Sequence, residues 1–289
     1  MITSRQQTGR GLRGVSRIVL LSITSYAVAI EHRPDKAAIA SLRSTHLSHL
    51  TTKAGFRAEP NAHGGDARLR DLKFAHLTST DGLAQDNVVA ILQDHRGFMW
   101  FATGEGLNRY DGNSFVVYKN NPNDPGSLSH NFIRDIVEDD HGYLWVAAHP
   151  GINKFDPATE RSTRYLPDPK KPNSLGSDAV WRITRDSRGY LWFAEDNGLD
   201  RFDPITETFT HYRNDNTGQF VGRVTHVIED SNREIWFVGE LGLFHLNLQT
   251  GQITRPPAII KDLSANYLYE DQAGDFWIVA GLGYDGSTV

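Results

Sequence analysis

The sequence contains no cysteine, which removes disulfides, thiolate metal sites and thiol nucleophiles without fixing the redox compartment. It has no basic block beyond its N-terminus and a formal net charge of −5, which argues against a nucleic-acid surface. Its longest apolar run, Ile18 to Ile30, falls short of the roughly 20 residues that a membrane-spanning helix needs. No sustained helical period appears anywhere in the chain. What is present is 39% hydrophobic and 22% charged residues in a chain of 289, enough for a packed core and unlike a disordered polymer. Aromatics at 10% with 26 glycines favour short strands joined by tight turns.

The N-terminus reads as an address. Arg5, Arg10, Arg13 and Arg17 precede the apolar run, which ends in the small-x-small triplet Ala27-Val28-Ala29. That order is a secretory signal pattern over residues 1–29, with an uncleaved signal anchor as the alternative. Its removal makes the remaining chain more acidic, because it carries four positive and no negative side chains. Residues 30–71 are polar and read as a linker, with a weak helix around Lys36–Leu50 built on Ile39, Leu42, Leu47 and Leu50.

From Leu72 onward the chain repeats itself. Trp100, Trp145, Trp192, Trp236 and Trp277 recur at intervals of 41 to 47 residues. Six positions before each stands Asp94, Asp139, Asp186, Asp230 or Asp271, and six after it Gly106, Gly151, Gly198, Gly242 or Gly283. Gly97, Gly142, Gly189 and Gly274 lie three before the tryptophan, with Arg233 as the exception. Each unit divides into four short alternating pieces; in the second unit they are FIRDIVED, YLWVAA, GINKFD and STRYL. Alternation bounded by turn signals means strands. The Asp-x-x-Gly between the first two pieces is a hairpin turn.

Four antiparallel strands per roughly 40–50 residues describe a propeller blade, which must be stacked because a single one has two apolar faces. The expected fold is therefore all-β, a β-propeller of four-stranded antiparallel blades over residues 72–289. It has about four complete blades and a partial fifth, and it is unclosed. Ile91, Ile136, Ile183, Val227 and Leu268 are expected to bury area between blades. Phe74–Leu77 matches the outer strands at Phe115 and Phe209 and reads as an orphan outer strand, while the fifth unit reaches only GLGYDGSTV. Two uncovered faces imply aggregation or a homodimer.

The phrases LSHNFIRDIVEDDHGYLWVAAHPGINKFD and LAQDNVVAILQDHRGFMWFATGEGLNRYD resemble the two-component regulator propeller repeat, over about residues 72–285. The resemblance implies the periplasmic sensor region of a hybrid histidine kinase or related bacterial receptor, with carbohydrate fragments as the ligand class. A kinase or diguanylate cyclase domain would follow a downstream transmembrane helix. No kinase histidine box, nucleotide-binding glycine motif or second hydrophobic span occurs before Val289, so no enzyme, cofactor or metal is expected in the chain as given. The alternatives are a stand-alone propeller lyase or hydrolase and a non-functional gene fragment.

Candidate ligand residues follow from the blade register. Loops leading into the inner strands and loops joining the second and third strands share one face around the central channel. They carry Asn87, Glu105, His130, Asn131, His149, Asp178, Asp196, Arg223 and Glu240, which vary on a constant frame. Trp181, off the beat, and Arg182 lie beside them on an inner strand. Trp181 reads as a stacking platform or as packing against the next blade. Arg134, Arg182 and His226 bring positive charge to the channel or pair with Asp135 and Glu229. The Asp-x-x-Gly-x-x-Trp turn resembles the Asp-box of sialidases with its spacing off by one, but Tyr267, Arg134 and Arg182 make no convincing sialidase set. Metal ligation by Glu138–Gly142 is set against a purely structural turn. The partners expected are thus a small-molecule or oligosaccharide ligand, no nucleic acid, and a membrane only through the N-terminal segment or a missing downstream helix.

Overall fold

The computed structural model describes residues 77–256 and 264–280, and the backbone of β1 (Arg17–Ser22), β2 (Tyr26–Glu31) and β3 (Ile39–Arg43). β4 (Val88–Gln93), β5 (Met99–Thr103), β6 (Gly106–Tyr110) and β7 (Phe115–Tyr118) form the first sheet. β8 (Ile133–Glu138), β9 (Leu144–Ala148), β10 (Ile152–Asp156) and β11 (Arg161–Tyr165) form the second. The third contains β12 (Val180–Arg185), β13 (Leu191–Glu195), β14 (Gly198–Asp203) and β15 (Thr208–Tyr212). The fourth contains β16 (Val224–Glu229), β17 (Ile235–Gly239), β18 (Gly242–Asn247) and β19 (Gln252–Thr254), and β20 (Ala265–Glu270) and β21 (Asp275–Ala280) open the fifth. In each of the first four sheets neighbouring strands are antiparallel and follow chain order. These are four complete propeller blades, as the alternation demands.

The recurring phrase is a covalently local staple. In every sheet the box aspartate accepts the indole N–H of the tryptophan six residues on: Asp94 from Trp100 at 2.9 Å, Asp139 from Trp145 at 2.8 Å, Asp186 from Trp192 at 3.0 Å, Asp230 from Trp236 at 3.1 Å and Asp271 from Trp277 at 2.8 Å. Its other oxygen accepts two backbone N–H groups across the turn, for Asp186 those of Arg188 and Tyr190. The turn residue with φ near +80 to +90° is glycine in four sheets; in the fourth, Arg233 takes φ 64° without glycine's freedom.

The staple aims each indole at the next sheet. Trp100 packs with Ile133, Ile136 and Phe155 of the second sheet, and Trp145 with Ile183, Phe193 and Phe202 of the third. Trp192 packs with Val227 and Phe244 of the fourth sheet, and Trp236 with Leu268 and Phe276 of the fifth. In the third strands Arg109, Lys154 and Arg201 lie over Trp100, Trp145 and Trp192 at about 6 Å, and the His245 ring meets Trp236 in a tilted contact at 4.5 Å. Inner strand follows inner strand around the axis from β4 to β20. Among the described residues, no apolar cluster joins the first sheet to the fifth.

The fifth sheet departs from the repeat. β1 pairs in parallel with β21, Ile18 opposite Phe276, and β2 and β3 continue outward, so the sheet is mixed and five-stranded. The segment with the export pattern thus supplies backbone partners to an edge that the repeat's own third strand does not fill among the described residues. Ile39–Arg43, where apolar spacing favours a weak helix, is a strand instead, because β2 offers it a full ladder from Ile30↔Ile39 to Tyr26↔Arg43. Residues 74–76 of the expected orphan strand and 281–289 lie outside the described residues, and Leu77 is not in a strand.

Replacing the box aspartate tests the staple. Asp186 is 2% exposed, and Asp186→Ala leaves one indole and two backbone donors without their acceptor. At about 1–3 kcal/mol for each unmet buried donor, the variant is expected to lose about 3 kcal/mol or more in urea unfolding. A loss below about 1 kcal/mol shows that the turn does not depend on it.

Candidate functional site on the loop face

All five inner strands carry the same defect. Pairing with the second strand skips Val89, Arg134, Trp181, Thr225 and Asn266, a β-bulge one residue into each strand. A bulge re-aims its extra side chain and is favoured beside functional sites. In the second and third sheets the re-aimed side chains meet: the Arg134 guanidinium carbon lies 3.9 Å from the Trp181 ring centroid. Arg223, leading into β16, approaches the same ring at 5.6 Å. The Trp181 indole N–H donates to Asp196 at 2.6 Å, and Asp196 also pairs with Arg223 at 3.3 Å. Glu240 pairs with Arg223 at 3.5 Å. Trp181, Asp196, Arg223 and Glu240 therefore form one cluster with Arg134, drawn from three sheets. The indole is not a bare platform: guanidinium groups approach its ring, and a stacking ligand has to displace or share them.

The other candidates lie apart from that cluster. His149 Nδ1 lies 3.2 Å from the Asp178 carbonyl, which also accepts the Gly151 N–H at 2.7 Å, tying the second and third sheets together. His130 accepts the Phe132 N–H and Asn131 accepts the Asn120 N–H, both local loop ties. Glu105 pairs with Lys119 on the surface, and Asn87 is exposed.

Deeper in the channel wall, one level of the inner strands forms a row from Asp135 through Arg182 and His226 to Tyr267. Arg182 pairs with Asp135 at 3.4 Å, and Asp135 also accepts the Ile183 N–H at 2.8 Å. Burial still pushes the Asp135 carboxyl above its usual range, against the pull of Arg182. His226 does not pair with Glu229; its ring meets Tyr267 in a tilted contact at 4.2 Å. Burial, with Arg182 adding to it, lowers its pKa to about 3, so the imidazole is neutral near pH 7. Glu229 instead holds the Ser187 N–H and hydroxyl.

The acids of Glu138–Gly142 are engaged by protein groups: Glu138 holds His95, Asp139 holds Trp145 and Asp140 holds Arg185. Among the described residues no three His, Asp or Glu side chains gather as a metal site.

The sequence reading misses a buried group directly behind Asp196. Glu195 and Asp200 are both 0% exposed, and Arg213 Nη2 bridges them, 3.2 Å from Glu195 and 2.5 Å from Asp200. His211 Nδ1 lies 2.8 Å from Asp200, and the Gly176 N–H donates to the other Asp200 oxygen at 2.8 Å. Asn108 and Asn153 occupy the same register in the first two sheets and accept the Ala84 and Ser129 N–H groups, each at 2.8 Å. Among the described residues, the third sheet alone does this job with an acid, and it adds a second acid beside it. The available signal was that substitution of Asp for Asn at one register.

Two buried carboxylates served by one guanidinium nitrogen do not both ionise readily. Burial first, then Asp200, drives the Glu195 carboxyl well above its normal range, while the hydrogen bond to Asp200 raises His211.

Comparison with known proteins agrees with this architecture. The two-component regulator propeller family matches at residues 82–105 and 127–149. Histidine kinase P4 of Formosa agariphila is 43% identical over 63 residues, 22% of this chain and 5% of that protein. The extracellular domain of a hybrid two component system from B. thetaiotaomicron superposes with a TM-score of 0.63 at 27% identity, over 71% of this chain and 29% of that one. Virginiamycin B lyase from Staphylococcus aureus shares the fold at 14% identity and TM-score 0.51, over 92% of this chain and 78% of that one. The chain thus spans less than a third of the first two of these relatives.

The proton on Glu195 sets a pH dependence. The folded chain keeps it where the unfolded chain, titrating near 4.5, has released it. The stability it confers is full below that pH and is lost as pH rises towards the raised folded value. The slope is at most about 1.4 kcal/mol per pH unit. Glu195→Gln should flatten the fall in urea-unfolding free energy between pH 5 and 8. Parallel profiles for the two proteins rule out a buried proton at Glu195.

Proposed function

We propose that this chain, which carries two-component regulator propeller repeats, is the ligand-sensing propeller of an extracytoplasmic receptor of the hybrid histidine kinase type. The observation that carries this reading is the Arg134–Trp181–Arg223 arrangement with Asp196 and Glu240. Three consecutive sheets contribute to it, so a ligand seated there touches all three and alters their relative tilt. Indole and guanidinium faces with flanking carboxylates suit a polyhydroxylated ring, which offers an apolar face for stacking and a hydroxyl rim for charge-assisted hydrogen bonds. The ligand class is therefore a small polar molecule or oligosaccharide. The basic N-region, apolar run and small-x-small ending support export to the periplasm, and the extracellular placement of the B. thetaiotaomicron relative is in keeping with it.

The lyase or hydrolase reading needs an accessible acid–base pair facing a substrate. The strongest acid pair among the described residues, Glu195–Asp200, is fully buried and bridged by Arg213, and the likeness to the lyase is one of fold.

Trp181→Ala tests the sensor reading on an array of neutral and acidic oligosaccharides. The intact chain is expected to bind a subset, and the variant to bind that subset at least tenfold more weakly with an unchanged urea midpoint. Equal binding by the variant moves the ligand site away from this cluster.

A further inference from the structure

We propose that the seam between the second and third sheets carries a second binding site, on its outer strands, for a small carboxylate that also bears hydrogen-bond donors. A cavity of about 380 Å³ opens there between Tyr143, Lys154, Asp156, Arg161 and Tyr165 on the second sheet and Glu207 on the third. That volume suits a small-molecule ligand. None of the loop-face residues lines it, and both of its walls belong to complete four-stranded sheets.

The preceding seam shows what this cavity lacks. There Arg109 lies over Phe98, Trp100 and Tyr118. Glu160, in the turn between β10 and β11, accepts the Tyr118 hydroxyl at 2.7 Å and pairs with Arg109 at 3.7 Å. One sheet on, the same register holds the same three roles. Lys154 stands opposite Trp145 as Arg109 stands opposite Trp100, and Tyr165 opposite Ile152 as Tyr118 opposite Leu107. Glu207, in the turn between β14 and β15, repeats the backbone of Glu160, with φ 53° against 58°. Among the described residues, however, Glu207 bonds to neither partner, Lys154 makes no ion pair and the Tyr165 hydroxyl makes no hydrogen bond. The Lys154 ammonium lies 4.4 Å over Tyr143 and 5.7 Å over Trp145. Lysine ends in a point charge where arginine extends a planar fork. Seated on Tyr143, it leaves the place of the glutamate open.

A carboxylate in that gap meets what Glu160 meets, a cation and a phenol. Burial first, then the charge of Glu207, pushes the Tyr165 hydroxyl up to about 12, so it keeps its proton and donates. Charge-assisted hydrogen bonds of this kind are the strong ones. The remaining wall favours donors. Asp156 commits its oxygens to the Ala158 N–H and the Thr159 hydroxyl, and Arg161 pairs with Asp124. Glu207 is exposed and its oxygens are open. Two acids beside one available cation also disfavour a doubly charged anion such as phosphate. The occupant is therefore a small acid with one carboxylate and with hydroxyl or ammonium groups for Glu207, a hydroxy acid or an amino acid.

Calorimetric titration of the full chain with D-gluconate, L-glutamine and sorbitol tests this site. Gluconate and sorbitol share a hydroxylated chain and differ in the carboxylate. Binding of gluconate without sorbitol supports a hydroxy acid, and binding of glutamine supports an amino acid. Lys154→Met should weaken that binding at least tenfold and Tyr165→Phe several-fold, in chains that still unfold cooperatively in urea. Trp181→Ala should leave it unchanged, which separates this site from the loop-face reading. Failure of both acids to bind, equal binding of sorbitol, binding untouched by both substitutions, or its loss in Trp181→Ala overturns the proposal.

Discussion

The hydrogen bond from an indole N–H to a carboxylate, buried in three sheets and half-buried in the second and fifth, is made once in every sheet and is the interaction on which the architecture rests. A buried carboxylate is costly unless its oxygens are served by donors. Here three donors within six residues serve it, two from the turn and one from the tryptophan. The same contact fixes the direction of the indole, which stands across the gap to the next sheet and fills it. One aspartate therefore links the local hairpin to packing between sheets. The repeated phrase is for the same reason not a repeated active site, since its carboxylate is committed to its own turn.

That economy explains what the sequence discloses. Aspartate, glycine and tryptophan act within seven residues of one another, so their spacing survives as text and reveals strands, blades and blade order. The clasps between sheets do not survive in this way. They join residues about 40 apart, and their chemistry changes from Glu–His to Arg–Asp to Glu–Ser, so no single pairing runs through all four junctions. The inner-strand bulge is a backbone feature carried by Val89, Arg134, Trp181, Thr225 and Asn266, which share no side-chain property. Its constancy is invisible without coordinates. Of the loop-face residues, the structure gathers Trp181, Asp196, Arg223 and Glu240 into mutual contact. The sequence could not show that Arg134 already lies over the indole, or that His130 and Asn131 are spent on local ties.

The third sheet keeps the regular four strands but alters the side chains behind its loops, and the alterations adjoin one another. Asn108 and Asn153 show that a neutral amide suffices to hold the loop that leads into an inner strand. Asp200 does the same for Gly176 at the expense of a buried charge, and Glu195, Arg213 and His211 are recruited around it. Nothing in the packing of the other sheets requires that replacement. Its position matters, because Glu195 immediately precedes Asp196, the acceptor of the Trp181 indole. The protonation state of a buried acid and the anchor of the loop-face aromatic are one peptide unit apart.

How a loop-face event travels depends on what is stiff and what is not. Within a sheet, full ladders and the staple hold four strands as a unit. Between sheets there are an apolar seam, a rim clasp, single hydrogen bonds such as Thr184 to the Val227 carbonyl and, at the loop end, contacts such as Arg134 on Trp181 and Arg182 on Asp135. The junction of the second and third sheets concentrates these: both arginine contacts span it, its rim clasp has the reversed polarity of Arg185 on Asp140, and His149 meets the Asp178 carbonyl across it. A ligand that draws Arg134 or Arg223 off the indole exchanges contacts at seams while leaving ladders intact. Under the sensor reading proposed above, the least costly response is a change in the angle between sheets, a rigid-body tilt of stiff units.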